Sequence, residues 1–462
     1  MDQENRFKLL VLAILLLGAW LLNEQKRMLE TDRKGSAVEF ETSTQSPVVV
    51  KECVVPEWNQ NVTSEVPHSE QFKEWVEGGF GKHNNILDAE PRLLSAFVYP
   101  DQISIVTTAM YTYGRNATCL YFDCNRNEIP ASEFVSLVIP MTVISCPRRY
   151  GAEYVSISLD DNRQPHEPIP LIFRAFEQPI HELSVCVGPL YGNESKWLEV
   201  IEYVEHYKLL GASYFYFTLF YVNEYDRKVI DDYSRLGLGE STSYVTEYEK
   251  LGWQFHLIQT HECHHRSRYH SKWVINMDID ERLVYTGPGN LIHYLRSMPA
   301  YISEVSFSTN RVLKTEEMPR KYEKETDLVS EMLFLKYNQT TEISWYNLKG
   351  VIRPELVALL FYHWSYRQLE DTRVMSVPKR FGHIRHYRST DGSALNGNWK
   401  QFYNGDFHAT RLEKTFEQEL VTAVQKRVKY VYDQRMIRCE EIPDWIFNAF
   451  SRNLLDCKFK YE

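Results

Sequence analysis

The chain is 462 residues long, 44% hydrophobic and 25% charged, with a formal net charge of −10 at neutral pH. That is globular composition, with room for a catalytic domain and a smaller one. The acidic balance lacks the basic footprint of a nucleic-acid binder, so no nucleic-acid partner is expected. The eight cysteines are even in number and compatible with disulfides in an oxidising compartment.

Taken in order, residues 1–8 read as a short cytosolic tail. Arg6 and Lys8 precede the apolar run Leu9–Leu22, which falls short of the ~20 residues of a full span. The run leaves through Trp20, Leu21 and Leu22 into Asn23, Glu24 and Gln25, with no small-x-small cleavage pattern directly after it. Between a cleaved signal peptide and an uncleaved signal anchor, the anchor is favoured over 9–22, in a thin early-secretory membrane. Everything after it is then lumenal. Residues 23–90 are rich in Glu, Ser, Thr and Gln and read as a stem, with a short ordered piece at Phe72–Phe80.

Residues 91–178 read as a small β-rich domain. Ile103–Ala109, Ser136–Ile139 and Tyr154–Ser158 are strand-like runs between turn residues. One disulfide is expected among Cys119, Cys124 and Cys146. Pro165, Pro168 and Pro170 mark a linker.

From 179 to 462 the pattern alternates between strand and helix. Leu183–Val187, Tyr214–Val222, Ser243–Thr246 and Trp253–Ile258 read as strands. Trp197–Leu210 and Asp226–Leu236 read as helices, closed by Gly211 and Gly237. The alternation predicts an α/β fold with a mostly parallel sheet and flanking helices. His261–His270 is a polar helix or loop. His261 and His265 have zinc-like spacing, but only Cys263 is near and no second ligand pair follows, so a structural zinc is not favoured. Glu304–Thr309 is a further strand, and Lys314–Asp327 is a charged loop able to close over a ligand. Leu412, Phe416, Leu420, Val424, Val428 and Val431 form the apolar stripe of an amphipathic helix. Cys439 and Cys457 could pair. The sequons at Asn61, Asn116, Asn193 and Asn338 fit a glycosylated lumenal protein.

The most informative stretch is Lys272–Tyr285. The apolar run Trp273-Val274-Ile275 gives way at once to Asp278, Ile279, Asp280 and Glu281. Carboxylates at the exit of a buried strand stand where open α/β sheets bind ligands. Asp278 and Asp280 share a side in strand geometry, ~7 Å apart along the backbone. Two hard oxygen donors so placed suit a divalent cation that also grips phosphate. Asp-x-Asp alone is short enough to arise by chance; its place at a strand end is what gives it weight.

An ordered set of motifs resembles the family 92 glycosyltransferases. It runs from Leu183-Ser-Val-Cys-Val-Gly-Pro-Leu-Tyr-Gly through the Trp197 helix and Asp-Ile-Asp-Glu to Arg-Pro-Glu and His-Tyr-Arg. The resemblance covers roughly Leu183–Cys439. It implies a GT-A (Rossmann-like) fold, a single-pass type II Golgi membrane protein with a lumenal catalytic domain, and Mn²⁺-dependent inverting transfer. Galactose from UDP-galactose, passed to a glycan acceptor on a glycoprotein or glycolipid, is the transfer it implies. On that resemblance Asp278, Asp280 and His386 are the expected metal ligands, with His363 and His383 as rivals to His386. Asp278, Glu281, Arg353, Gly188 and Pro189 are the expected nucleotide-sugar contacts. Arg353 could instead pair with an acid. Arg282 stands where family members commonly carry an aromatic, and Asn276-Met277 where some carry an aromatic-Asn pair.

Inversion needs a carboxylate base for the acceptor hydroxyl. Glu355 is the first candidate, with Glu317 and Glu316 behind it; an ion pair with a neighbouring arginine is the competing role for Glu355. Two further functions compete with transfer: a non-catalytic lumenal glycan-binding protein of the same fold, and a secreted metal-dependent hydrolase, which would need more clustered ligands.

Overall fold

The computed structural model describes residues 52–79, 92–108, 114–139, 141–159, 165–244, 253–389 and 406–433. The chain divides into Met1–Glu52 and Cys53–Glu462, and the second unit is described below. The expected anchor, most of the expected stem, and Cys439 and Cys457 lie outside the described residues. Among the described residues no helix is long and apolar enough to cross a membrane.

A helix at Ser69–Glu77 precedes the first sheet. That sheet comprises β1 (Leu93–Val98), β2 (Ile103–Thr107), β3 (Asn116–Phe122), β4 (Phe134–Leu137), β5 (Val143–Cys146), β6 (Tyr154–Ser158) and β7 (Ile169–Phe173), in the order β4-β3-β6-β7-β1-β2-β5. Its neighbours are antiparallel except for β1 and β7. The core of this sheet is built from Ile103, Ile105, Ala117, Tyr121, Ile144, Val155 and Ile157. Cys119 bonds Cys146, the pairing expected within that trio, and Cys53 takes Cys124.

The second sheet opens with a parallel block. It runs through β8 (His181–Leu190), β9 (Tyr214–Leu219), β10 (Gly239–Ser243) and β11 (Ser271–Met277), ordered β10-β9-β8-β11. Then come β12 (Glu281–Tyr285), β13 (Ile302–Lys314), β14 (Gln339–Thr340) and β15 (Ser344–Ile352). β16 (Val357–Phe361) and β17 (Trp364–Gln368) pair with each other as a separate two-stranded sheet, and β18 (Arg373–Ser376), β19 (Gly382–Ser389) and β20 (His408–Ala409) return to the second. β15 joins β11 antiparallel, β13 joins β15, and β19 lies parallel to β13 with β12 antiparallel at its other side. The chain is thus a mixed α/β structure, with a mostly parallel sheet and flanking helices after a β-rich sheet.

The Trp197–Leu209 helix buries Trp197, Val200, Ile201, Val204 and Tyr207, the residues its helical spacing predicts. The Lys414–Tyr432 helix lays Leu420, Val424, Val428 and Val431 inward, as its stripe predicts. The two helices pack together, and Arg427 reaches Asp232 at 2.7 Å on the Glu224–Arg235 helix.

Trp253–Ile258, read as a strand, is instead the start of a helix, Trp253–Ser267. Six residues of alternation match a strand, yet Leu257, His261 and His265 also recur every fourth residue, and tertiary packing decides between the two. This helix lies between the two sheets: Tyr99 donates to His265 O at 2.6 Å, and the His264 ring meets Pro354 O at 2.9 Å. The His261 ring bridges Thr142 Oγ1 (3.2 Å) and Leu360 O (2.9 Å). The histidine cluster is therefore polar mortar between layers. A Cys186–Cys263 disulfide pins the helix to β8. The three disulfides fit an oxidising secretory-pathway compartment.

Candidate active site

Strand β11 ends at Met277, and the chain turns through Asp278–Asp280 into β12. The turn is closed from within. Glu281 N donates to Asp278 O at 3.0 Å, and Asp278 N donates back to the Glu281 carboxylate at 3.1 Å. From one side, Tyr203 donates to Met277 O (2.9 Å) and Tyr207 to Glu281 O (3.2 Å). From the other, Tyr387 N donates to Asp280 O at 2.8 Å. Neighbouring parallel strands bring Val187 beside Met277, so Gly188 and Pro189 stand next to Asp278. Gly188 has φ +131°, and a Cβ there would sit 3.0 Å from Thr218 O and 3.2 Å from Leu190 N, so only glycine fits.

Two groups of side chains close enough to hold a metal ion meet at this corner, one on each aspartate: His256, Asp278 and His363, and Asp280, Glu281 and His386. His256 Nε2 is 3.0 Å and His363 Nε2 3.3 Å from the two oxygens of Asp278. His386 Nε2 is 3.2 Å from Asp280 Oδ2. Asp278 and Asp280 keep 25% and 26% of their side-chain surface open to solvent, so a ligand can reach both. Burial pushes both carboxyls up, but imidazoles overrule it. His363 and His256 hold Asp278 well below the usual carboxylate range, and His386 does the same for Asp280. Carboxylate oxygen together with imidazole nitrogen is a donor set that suits Mn²⁺ and other divalent transition ions.

Of the two rivals to His386, His363 stands in the same corner on Asp278. His383 lies an odd number of residues from His386 along β19 and faces the other side. Glu281 is fully buried, 2.6 Å from Lys349 Nζ, itself 3% exposed. No face of Glu281 is open to a nucleotide.

Arg353 and Glu355 are not brought to this corner. β11 and β15 run antiparallel with Val274 beside Ile352, so the chain after Ile352 heads away from Asp278. The Arg353 guanidinium lies 4.4 Å over the Trp273 ring and donates to Met298 O, Pro299 O and Ala300 O. Glu355, its carboxyl pushed up by burial, feels Arg268, Arg353 and Lys272. Lys272 and Asp278 are roughly 20 Å apart along the strand. Glu317 is exposed in the loop after β13. Lys314, at the end of that strand, is 2.5 Å from Glu194, which also holds Lys196 at 3.5 Å. Lys196 feels the charge of Asp280, so this loop emerges on the aspartate side. Glu316 is tied to Lys336 at 2.9 Å.

Arg282 is turned away from the aspartates. It is 3% exposed, its guanidinium 4.7 Å over the Tyr203 ring, and it donates to Ile279 O, Glu281 O and Glu199 O. The guanidinium stacks on an aromatic ring and fastens the turn from behind.

Residues given no role in the sequence reading also reach the corner. Tyr191, 46% exposed, follows β8 and feels both Asp278 and Asp280. Arg388 lies two residues beyond His386 on the same strand face and acts on Asp280 and Tyr191. His256 lay in a segment read as a strand. Tyr191 and Arg388 stand inside two motifs already singled out, Leu183–Gly192 and His-Tyr-Arg, and the i, i+2 step from His386 put Arg388 on the same face.

The fold and this corner define an α/β protein whose sheet edge carries carboxylates and imidazoles, at the place where open α/β sheets bind ligands. A model of glycosyltransferase family 92 matches residues 181–420, just over half of the chain. The chain belongs to that family and is a glycosyltransferase, a class that requires a sugar donor and an acceptor. A comparison with curated proteins finds no match.

Proposed function

We propose that the protein is a GT-A glycosyltransferase of the Golgi lumen, anchored as a type II membrane protein by residues 9–22. It moves galactose from UDP-galactose onto a glycan acceptor with inversion. The observation that carries this reading is the convergence of Asp278, Asp280 and His386 at the end of β11. In this reading Asp280 and His386 hold Mn²⁺ and Asp278 completes the acidic face toward the donor. The ion supplies Lewis-acid stabilisation of the departing nucleoside diphosphate. Gly188 and Pro189 line the floor beside Asp278, and the Tyr191 ring offers a face for the base. Arg388, which has no ion-pair partner among the described residues, meets the diphosphate.

Glu317 is the favoured general base for the acceptor hydroxyl, because it is solvent-accessible on the aspartate side while Glu355 is remote. The sequons at Asn61, Asn116 and Asn193 are exposed and that at Asn338 is half-buried; they are proposed as lumenal glycosylation sites. The intact acidic and imidazole set argues against a non-catalytic glycan-binding role, which would not need to preserve it. A screen of UDP-sugars with the purified lumenal segment and Mn²⁺, read by acceptor mass, tests the donor. UDP-galactose should be used best; a different preferred sugar overturns that assignment.

A further inference from the structure

Glu281 and Lys349 form a buried ion pair directly behind the metal corner. The Glu281 carboxylate has no exposed surface, and Lys349 Nζ sits 2.6 Å from its Oε1. Removing two charges from water is expensive, and a buried pair is often no better for stability than an apolar pair of the same volume. The pair therefore calls for a role beyond stability.

The geometry around His386 supplies one. Its two ring nitrogens face different carboxylates: Nε2 is 3.2 Å from Asp280 Oδ2, and Nδ1 is 3.3 Å from Glu281 Oε1. The two nitrogens cannot share one ion, because they stand on separate edges of the ring. Nδ1 and Glu281 Oε1 are both buried, and apart from the Lys349 ammonium on Oε1 neither has a hydrogen-bond partner. A carboxylate oxygen only accepts, so when Nε2 gives its lone pair to an ion rather than donating to Asp280, the ring hydrogen must sit on Nδ1, facing Glu281 Oε1. The lone pair is then on Nε2, aimed at the space beside Asp280. Glu281 Oε2 meanwhile accepts from Asp278 N at 3.1 Å. One buried carboxylate thus sets the ring of His386 and the backbone of the first aspartate.

We infer that Lys349 and Glu281 are positioning residues. Glu281 fixes the tautomer and angle of His386 so that Nε2 and Asp280 face a common divalent ion, and Lys349 neutralises Glu281 and holds it in place. This rests on the metal corner proposed above. Glu281 is in this account an outer partner of the ion and touches neither nucleotide nor sugar. Outer carboxylates of this kind typically change metal affinity 10–100-fold when removed.

The experiment measures Mn²⁺ binding without donor, by electron paramagnetic resonance of free Mn²⁺, alongside melting temperature in chelator. The proteins are the lumenal chain and its D280A, H386A, E281L/K349M and E281Q/K349M variants. The two double variants remove both charges together, so neither leaves a lone buried charge. E281L/K349M should fold and bind Mn²⁺ 10–100-fold more weakly. E281Q/K349M, whose amide oxygen still accepts from Nδ1, should stay within a few-fold of the parent. A purely packing role would shift the melting temperature and leave affinity alone. If E281L/K349M binds Mn²⁺ as tightly as the parent while D280A does not, the positioning role is overturned and the metal corner stands. If D280A and H386A also bind as the parent does, the metal corner itself fails.

Discussion

At the scale of single residues, the corner separates groups that should carry the reaction from groups that only resembled them. Asp280→Ala removes one of two ligands facing the proposed ion. It should lower kcat/KM at least 100-fold, in line with the loss of one preorganised charge-stabilising group. The melting temperature in chelator should hardly move, because the carboxylate is partly open to solvent. Glu317→Gln should cost 10²–10⁴ in kcat with little change in donor KM, the range for a lost general base. Glu355→Gln should leave turnover within about threefold, since Glu355 stands at the far end of the strand among Arg268, Arg353 and Lys272. Initial rates for this pair decide between them, and the opposite pattern would restore Glu355 as the base. Tyr191→Ala should raise donor KM about tenfold if its ring stacks on the base, stacking being worth ~1–3 kcal/mol.

At the scale of elements, the Trp253–Ser267 helix is the joint between the two sheets, and its histidines make that joint sensitive to acid. Burial pulls His261 down to about 4 and His264 to about 3. On the Trp197–Leu209 helix, burial pulls His206 to about 3. In the unfolded chain all three return to about 6.5. The unfolded chain therefore binds protons first as pH falls. The stability these residues support is whole above pH 6.5 and is lost progressively as pH drops, down to about 4 for His261 and about 3 for His264 and His206. Each should cost on the order of 1 kcal/mol between pH 6.5 and 5.5, or roughly 3 kcal/mol together. Thermal melts at the two pH values should differ by several degrees; equal melting temperatures would contradict the buried, neutral state of these rings.

This element also shows where the sequence was opaque. The alternation Trp253, Phe255, Leu257 satisfies a strand as well as a helix. The signal that settles it lies in Tyr99, Thr142 and Leu360, more than 90 positions away along the chain. By contrast, the Lys414–Tyr432 helix buries one clean stripe, Leu420, Val424, Val428 and Val431, and that periodicity is local. The acidic turn was legible for the same reason, because carboxylates directly after an apolar run mark a strand exit. The roles of Glu355 and Arg353 were not legible, since proximity in a motif says nothing about strand direction. The antiparallel register of β15 on β11 carries them away from the aspartates. Nor was the role of Arg282 legible, because its partner Tyr203 lies on another element.

At the scale of the whole molecule, the β-rich sheet, the oxidised cysteines and the exposed sequons fit a secreted or lumenal head carrying one catalytic edge. Deglycosylation of the protein expressed in secretory cells should shift its mass by more than one glycan, and substitution of Asn61, Asn116 and Asn193 should remove most of that shift. The central claim is that the edge at Asp278, Asp280 and His386 transfers a sugar with the help of a divalent ion. The most direct measurement follows UDP release and acceptor mass together, for the parent and Asp280→Ala, with Mn²⁺ and with chelator. The account predicts that the parent with Mn²⁺ adds one hexose per acceptor, with UDP released in step, and that chelation or Asp280→Ala abolishes both. Transfer at the parent rate in chelator, or by Asp280→Ala with Mn²⁺ present, would contradict it.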